Sequence, residues 1–387
     1  MSAFFVGYIF LQIPAGMISN RVGARAALTV MTLGCALAAA ASARAHSYEV
    51  LYGSRLALGV AQSGLFAVMI MTLRDWFPTE RRGAASAAIT ACMSVGAVVA
   101  NGLTVRLLPS LGWRWTFLAY ALFAVVWAVG FFVWFRNTPE EHSSVNPAER
   151  DLIRGAKPSD FEPKDWVVGP SKEASSTVAA LVMMAGSPAM WALCVQAFFQ
   201  AFGYAFYITW FPAWLEKGKG VKLTDAGDLT MLPLIGSFAG SLLAGYAIDA
   251  ILVRTGNRWL SRCGVAALAL TLCAGATVAA TRARSPSSAV AVIALGMFFS
   301  GFAKPVQWAA TMDLSGQYSA VGFAVMNVAG NIGAIVCPLV LGRMLNRLSA
   351  SGGDWNSVLY LIAGIHLAGA LAWLVLNPSR SAVGSST

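Results

Sequence analysis

The segment Gly16-Met17-Ile18-Ser19-Asn20-Arg21-Val22-Gly23-Ala24-Arg25 is a short basic turn between two long apolar runs, residues 1–18 and 26–42. A helix needs ~20 apolar residues to cross a bilayer, and each run is close to that length. Because the turn is so short, the two helices must pack antiparallel, and Gly16 and Gly23 let their backbones approach closely. The segment therefore predicts two transmembrane helices whose connecting turn is held on the cytoplasmic side by its arginines.

The composition excludes most soluble proteins. The chain has 387 residues, of which 57% are hydrophobic and only 11% are charged. No soluble core of this size needs so much apolar sequence, so we expect an all-α, multi-pass membrane protein that is in contact with the lipid bilayer. The net charge of +10 fits loops facing anionic lipid, and the basic residues are scattered over loops, which argues against a nucleic-acid partner. The six cysteines show no metal-ligand spacing and no disulfide framework, so neither a metal site nor a cofactor is expected.

Eleven apolar runs of spanning length lie along the chain, in two groups. They cover residues 1–18, 26–42, 49–73, 83–105 and 117–135 in an N-terminal half (1–135), and residues 189–215, 229–252, 263–281, 289–312, 321–345 and 358–376 in a C-terminal half (189–376). Residues 136–188 are rich in proline and charge, which is typical of a linker. We expect this linker and a tail, residues 377–387, to lie in the cytoplasm.

The two halves resemble each other in sequence. The stretch Ser94-Val95-Gly96-Ala97 parallels Asn331-Ile332-Gly333-Ala334, and Gly16-x-x-x-Asn20 is echoed by Gly245-x-x-x-Asp249 at a similar offset. Parallel repeats of this kind build transporters whose substrate site lies between the halves near the membrane midplane. Because the first half is one helix short, we expect a twelfth helix to be missing before Met1, through a misplaced start or a real truncation.

The turn after the first run carries the pattern G-x-x-x-N-R-x-G-x-R, at residues 16–25. This pattern resembles the signature loop of the major facilitator superfamily, G-x-x-x-D-R-x-G-R-R, with Asn20 in place of the usual acid. The resemblance implies the major facilitator fold, in this chain with eleven of the usual twelve transmembrane helices.

Further motifs resemble one branch of that superfamily, the anion:cation symporters, which include bacterial hexuronate, galactonate and glucarate carriers. They are Tyr8-x-x-x-Gln12-Ile13-Pro14-x-Gly16, Arg55-x-x-x-Gly59, Trp76-Phe77-Pro78-x-Glu80-Arg81, Pro139-Glu140-Glu141-His142, Trp210-Phe211-Pro212 and Asn327-x-x-Gly330-Asn331-x-Gly333. The resemblance covers essentially the whole chain. It implies proton-coupled transport of an organic anion across a bacterial inner membrane.

Two departures from that branch concern proton coupling. Members of the branch commonly carry a glutamate seven positions after the arginine that matches Arg55, and this chain has Gln62 there. The first helix of the branch often carries an Asp-Arg pair for coupling and anion binding, and that helix is the one we expect to be missing. Both departures put proton coupling in question for this chain.

Charged side chains within the apolar runs are the first candidates for a binding site, because an ionisable group inside a membrane is costly. Arg55, Lys304 and His366 lie well inside the predicted spans. The alternatives are a structural brace for Arg55, snorkelling to the interface for Lys304 and a hydrogen-bonded core histidine for His366. We predict that Lys304 and Arg55 bind the substrate carboxylate, and that His366 is a core residue.

Polar and aromatic side chains at comparable depth suit a polyhydroxylated acid. The predicted lining residues are Tyr8, Gln62, Asn327, Gln307, Trp308 and Tyr204. Hydrogen bonding between helices is the alternative role for these residues. The chain has no phosphate-binding loop and no nucleophile with a nearby base, so we expect neither an ATP-driven pump nor catalytic residues.

The turn at residues 16–25 is also predicted to act as a gate on the cytoplasmic side. Its candidate gating residues are Gly16, Asn20, Arg21, Gly23 and Arg25, together with Asp75 in the turn that follows the third run. Arg21 is expected to pair with Asp75 when the cytoplasmic side is closed. Asn20 can still accept hydrogen bonds from a helix N-terminus, although without a charge.

The sequence is therefore interpreted as a secondary transporter that moves a small organic anion, and specifically a sugar acid, by alternating access. We expect it to act as a monomer. Two other classes stay open. A truncated relic or sensor on the same fold would bind without transporting, and the missing helix favours it. An integral membrane enzyme would need a cluster of His, Asp or Glu at one membrane face, and the sequence offers none.

Overall fold

The computed structural model describes residues 2–154, 177–221 and 223–376, and the regular structure in these ranges is helical. The helices are α1 Ser2–Val22, α2 Ala24–Ala43, α3 Tyr48–Gln62, α4 Leu65–Trp76, α5 Arg82–Trp134, α6 Pro147–Arg154, α7 Thr177–Gly186, α8 Pro188–Thr209, α9 Phe211–Lys219, α10 Leu223–Thr255, α11 Val265–Thr281, α12 Pro286–Gly301, α13 Ala303–Ser315, α14 Ser319–Ser351 and α15 Asn356–Val375. Helices α1–α5 form the first half and α8–α15 the second. Residues 155–176 of the predicted linker and all of the predicted tail lie outside the described residues.

Length and composition mark the helices as membrane-spanning. Within the described ranges, eight helical segments are long and apolar enough to cross a membrane, and one of them, Pro286–Ser351, runs from α12 to α14. Large apolar side chains face outward, such as Phe10 at 76% exposure and Val375 at 78%. The chain is therefore a multi-pass membrane protein, while the count of eleven spans stays a prediction.

Helix breaks fall at three places that matter for the site. Within α5 the backbone of Gly112 has φ +71, which glycine adopts without strain, and the chain reverses there. The predicted run 49–73 is not one helix, because α3 ends at Gln62 and α4 begins at Leu65. The run 289–312 is likewise divided at Phe302 between α12 and α13.

The breaks in α3/α4 and α12/α13 occupy corresponding positions in the two halves. Close packing contributes at the second break, since a Cβ on Gly301 would lie 2.1 Å from the carbonyl oxygen of Ser237. Interrupted helices at matching places in two repeats mark the binding site in many transporters.

We call the side where α5 ends and α8 begins the linker side. One buried core there draws residues from both halves, including Ala24, Met71, Met190 and Leu314. A second core, with Phe211, Leu345 and Val358, belongs to the second half alone and lies toward the opposite side. The halves are thus packed together by a shared core on the linker side.

Two glycine-lined contacts join the halves. A Cβ on Gly16 of α1 would lie 2.9 Å from the carbonyl oxygen of Ala320 of α14. A Cβ on Gly83 of α5 would lie 2.8 Å from the carbonyl oxygen of Gly245 of α10. Small residues let membrane helices approach closely, and here they bring the backbones of the two halves into contact.

Candidate functional site

Lys304 lies in the first turn of α13, directly after the break at Phe302. Its ammonium nitrogen is 5.8 Å from the centroid of the Tyr204 ring of α8, within the range of a cation–π contact. No hydrogen bond or salt bridge joins Lys304 to another residue in the part of the chain that the structure describes. Two of the predicted binding residues, Lys304 and Tyr204, are therefore together, and no described side chain neutralises the positive charge of Lys304.

Polar residues from both halves meet at the α1–α14 contact. The side-chain amide of Asn327 donates to the Tyr8 hydroxyl at 3.3 Å, and that of Asn331 donates to the Gln12 carbonyl oxygen at the same distance. Tyr8 and Gln12 are both buried, at 8% and 1% exposure. The predicted lining residues Tyr8 and Asn327 are thus brought together, and they link the two halves.

Gln307 and Trp308 follow Lys304 on α13 and are buried, at 8% and 3% exposure. The Trp308 ring lies 6.3 Å from that of Phe66 of the first half and 6.0 Å from that of Phe323 of α14, measured between centroids. This aromatic cluster packs the two halves against each other below Lys304, toward the linker side.

Arg55 and Gln62 of α3 contact other residues of the first half. The guanidinium carbon of Arg55 lies 5.2 Å from the centroid of the Phe117 ring, beyond the break in α5. The side chain of Gln62 lies near the thiol of Cys35 on α2. The structure gives no contact between Arg55 and Lys304, so it does not bring the two predicted cations onto one group.

The turn between α1 and α2 is tied to the end of α5. Gly23 has φ +83, and the backbone N–H of Arg25 donates to the side chain of Asn137 at 2.9 Å. The Arg25 Nε donates to the carbonyl oxygen of Phe132 at 2.7 Å, and its guanidinium lies 4.2 Å from the Phe132 ring centroid. Among the predicted gating residues, Gly23 and Arg25 therefore brace the first half internally.

The pair expected between Arg21 and Asp75 is not formed. Arg21 is exposed, and the Asp75 carboxylate is paired with the neighbouring Arg74. Arg74 in turn donates across the halves to the carbonyl oxygen of Gly316 at 3.1 Å. The side-chain atoms of Asn20 are buried without a hydrogen-bond partner, so the amide does not replace the usual acid as a cap.

A buried charge network on the linker side was not predicted as part of the site. The Asp313 carboxylate lies 3.6 Å from Arg82 of the first half and 3.3 Å from Arg262 of the second. Arg262 also lies 3.6 Å from Asp249. We call these four residues, Arg82, Asp249, Arg262 and Asp313, the linker-side lock.

Asp249 joins the lock to the start of α5. Its two carboxylate oxygens accept the backbone N–H groups of Gly83 at 3.1 Å and Ala84 at 2.7 Å. Carboxylates at a helix N-terminus are stabilised by the free N–H groups and the helix dipole. The echo of the signature turn at Gly245 to Asp249 was the sequence signal for this role, although it gave no partner.

His366 is buried at 2% exposure, and its Nδ1 donates to the carbonyl oxygen of Ile362 at 2.8 Å, since a carbonyl can only accept. Its ring packs against Gly203, where a Cβ would meet ring atoms at 3.0 Å. This arrangement agrees with the interpretation of His366 as a hydrogen-bonded core residue.

Comparison with known proteins agrees with this architecture. The sequence model of the Major Facilitator Superfamily matches residues 1–227 and, separately, 193–387. The probable sulfoacetate transporter of Cupriavidus necator is 26% identical over 97% of this chain and 84% of its own length. The D-galactonate transporter of Escherichia coli is 27% identical over 99% of this chain and 87% of its own length.

The fold is also that of a solved transporter. The crystal structure of the human organic anion transporter MFSD10 aligns with a TM-score of 0.64 over 97% of this chain and 82% of that one, at 16% identity. At this identity the likeness shows the fold alone. Two helical halves with matching breaks, a separate match of each half and this fold together establish that the chain belongs to the Major Facilitator Superfamily, a superfamily of membrane transporters and not of enzymes.

Proposed function

We propose that the protein transports a small organic anion, and specifically a sugar acid, through a site between its two halves. The observation that carries the proposal is the unpaired ammonium group of Lys304 at the break between α12 and α13. A cation without a counterion in a membrane protein is costly, and an anionic ligand relieves that cost. The names of the relatives, a sulfoacetate and a D-galactonate transporter, favour the same class of cargo.

The proposed mechanism is alternating access. The halves are held together on the linker side by the shared core, the glycine contacts and the linker-side lock. Release toward that side requires these contacts to separate while the halves rock about the central site. Tyr8 and Asn327, hydrogen-bonded across the halves, are proposed to line this site together with Tyr204, Gln307 and Trp308.

Proton coupling is proposed from the family resemblance, for a protein in the inner membrane of a bacterium. Because Gln62 stands where a glutamate is usual, coupling in this chain needs a direct test.

Uptake by proteoliposomes tests the proposal. The purified protein is reconstituted, and entry of radiolabelled galactonate and galactarate is measured with and without an inward proton gradient. Saturable uptake that unlabelled anion competes away supports transport, and stimulation by the gradient supports coupling. Saturable binding in detergent without any uptake would favour a sensor instead, and absence of both would refute the proposed function.

A further inference from the structure

We propose that α13 is a lever that couples anion binding at Lys304 to the linker-side lock. This inference rests on the proposed function and concerns how the same site controls opening of the linker side. Helix α13 begins one residue before Lys304 and ends two residues after Asp313. One short helix therefore carries both the cation of the site and the carboxylate through which the lock reaches Arg82 of the first half.

Helix α12 is the fixed support of this lever. A Cβ on Gly240 of α10 would overlap the carbonyl oxygen of Phe298, and a Cβ on Gly301 would overlap that of Ser237. These glycines bring the backbones of α12 and α10 into direct contact, and such close packing resists relative movement of two helices. We therefore expect α12 to stay with α10 when α13 moves.

A hinge at Phe302 separates α12 from α13. The N–H of Phe302 donates to the carbonyl oxygen of Phe299, three residues earlier, so α12 ends in a tightened turn. In an uninterrupted helix the carbonyl oxygen of Gly301 would accept from the N–H of residue 305, but Pro305 has no N–H. One of the hydrogen bonds that would keep the two helices straight is therefore missing at the break.

The other end of α13 is held by the first half. Asp313 lies 3.6 Å from Arg82, and the carbonyl oxygen of Gly316, directly after the helix, accepts from Arg74 at 3.1 Å. Every residue of α13 except Lys304 is buried. A helix packed in this way moves between discrete positions and does not shift gradually. The end of α13 is therefore free to move only when the first half releases it.

The length of α13 amplifies a small movement at the site. Lys304 is two residues from the hinge at Phe302, and Asp313 is eleven residues from it. At 1.5 Å per residue these separations are about 3 Å and about 16 Å along the helix. A rotation about Phe302 that moves Lys304 by ~0.4 Å therefore moves Asp313 by ~2 Å, which is enough to separate its carboxylate from Arg82.

Anion binding sets the direction of the rotation. The ammonium group of Lys304 lies over the Tyr204 ring of the second half, whereas Tyr8 and Asn327 offer a hydroxyl and an amide at the contact between the halves. An anion that contacts Lys304 and this pair draws the ammonium group away from the ring, because a charge-assisted hydrogen bond is stronger than a cation–π contact. The rotation moves Asp313 away from Arg82. Anion binding is thereby expected to favour the form that is open on the linker side.

Spin-label distances with and without galactonate test this coupling. Labels on cysteines introduced at Val22 and Thr255, at exposed ends of α1 and α10, report the separation of the halves in nanodiscs. We expect saturating galactonate to raise the ratio of open to closed protein about five- to 150-fold, the usual range of coupling between two sites. Because coupling is reciprocal, Arg82→Gln should also tighten galactonate binding, measured by calorimetry.

The variant Pro305→Ala tests the hinge. Alanine supplies the N–H that the carbonyl oxygen of Gly301 can accept, so the break should stiffen. Galactonate should still bind this variant, but most of the change in distance should be lost. The matched control is Pro286→Ala at the first position of α12, where a helix has no intrahelical partner for the N–H, and this variant should keep the change. Thermal melting confirms that each variant is folded.

The outcomes separate the lever from the proposed function. Galactonate that binds without changing the ratio, or a full change in Pro305→Ala, would overturn the lever and leave anion binding standing. An equal loss of the change in Pro286→Ala would also overturn it. If Pro305→Ala does not fold, the affinity of Arg82→Gln decides, and an unaltered dissociation constant there counts against the lever. Failure of galactonate to bind the natural protein would overturn both proposals.

Discussion

The substitution Arg82→Gln tests whether the linker-side lock holds the two halves together. Arg82 lies 3.6 Å from Asp313, with side chains exposed by 17% and 0%. Arg262 stays 3.3 Å from the same carboxylate, so Asp313 keeps a partner in the variant. The change also removes the hydrogen bond from the Arg82 guanidinium to the carbonyl oxygen of Arg74 at 3.3 Å, a contact within the first half. The charge contact that the change removes is the ion pair between Arg82 and Asp313, which joins the two halves.

The expected effect is a shift of the conformational equilibrium. At 3.6 Å and an effective dielectric constant of ~20, the attraction between the two charges is about 4–5 kcal/mol. Desolvation of the buried groups offsets part of it, which leaves a net contribution of roughly 1.5–3 kcal/mol. This corresponds to a change of about tenfold to 150-fold in the ratio of linker-side-closed to linker-side-open protein.

Distances between two spin labels measure that ratio. Val22 at the end of α1 and Thr255 at the end of α10 are exposed and lie on different halves. Cysteines are introduced there for labelling, in a background where the accessible Cys35 and Cys92 are replaced by serine. The Arg82→Gln variant should populate a longer distance that is rare in the parent protein.

Arg81→Gln is the matched control, because Arg81 is the adjacent arginine and is exposed. It should leave the distance distribution unchanged. If Arg82→Gln also leaves the distribution unchanged, or if Arg81→Gln shifts it equally, the linker-side lock does not hold the two halves together.

Three further substitutions test other parts of the site. Gly23→Ala should lower the free energy of unfolding by on the order of 1–3 kcal/mol, because the φ of Gly23 is +83 and the new Cβ would approach the Asn137 side chain. Gly130→Ala is the control, because a Cβ there meets open space, and equal melting temperatures of the two variants in detergent would contradict this prediction. Tyr8→Phe removes the hydroxyl that accepts from the opposite half, so anion affinity should fall about two- to tenfold, and an unaltered dissociation constant by calorimetry would exclude Tyr8 from the site. Trp308→Ala should destabilise the fold by about 3–5 kcal/mol through the lost aromatic cluster, and a melting temperature within error of the parent would refute that packing role.

Part of the polar contact between α1 and α14 could be predicted from the sequence. Tyr8 and Gln12 are one helical turn apart, as are Asn327 and Asn331, and their depth indicated a shared site. The sequence could not show that the two pairs meet, because each hydrogen bond joins positions 319 residues apart. The depth of a residue follows from its place in a helix, but its partner follows from how the helices pack.

For charged residues, too, the sequence indicated depth in the membrane but did not indicate the partner. The sequence indicated Lys304 and Arg55 because ionisable groups are rare in spanning runs. It did not indicate that Arg25 would brace α5, or that Asp75 would pair with Arg74 and leave Arg21 exposed. At helix ends several partners are within reach of a long side chain, and only the docked arrangement selects one.

The sequence by itself determined the membrane helices and their division into two halves. In lipid every backbone polar group must be satisfied within its own helix. A long apolar run therefore predicts a spanning helix, whatever packs against that helix in the fold. Only the tertiary structure decided where helices break, which glycines touch a neighbouring backbone and which charges form the linker-side lock. Those features depend on atoms far apart in the chain, because close packing and ion pairing are properties of two surfaces that meet only in the fold.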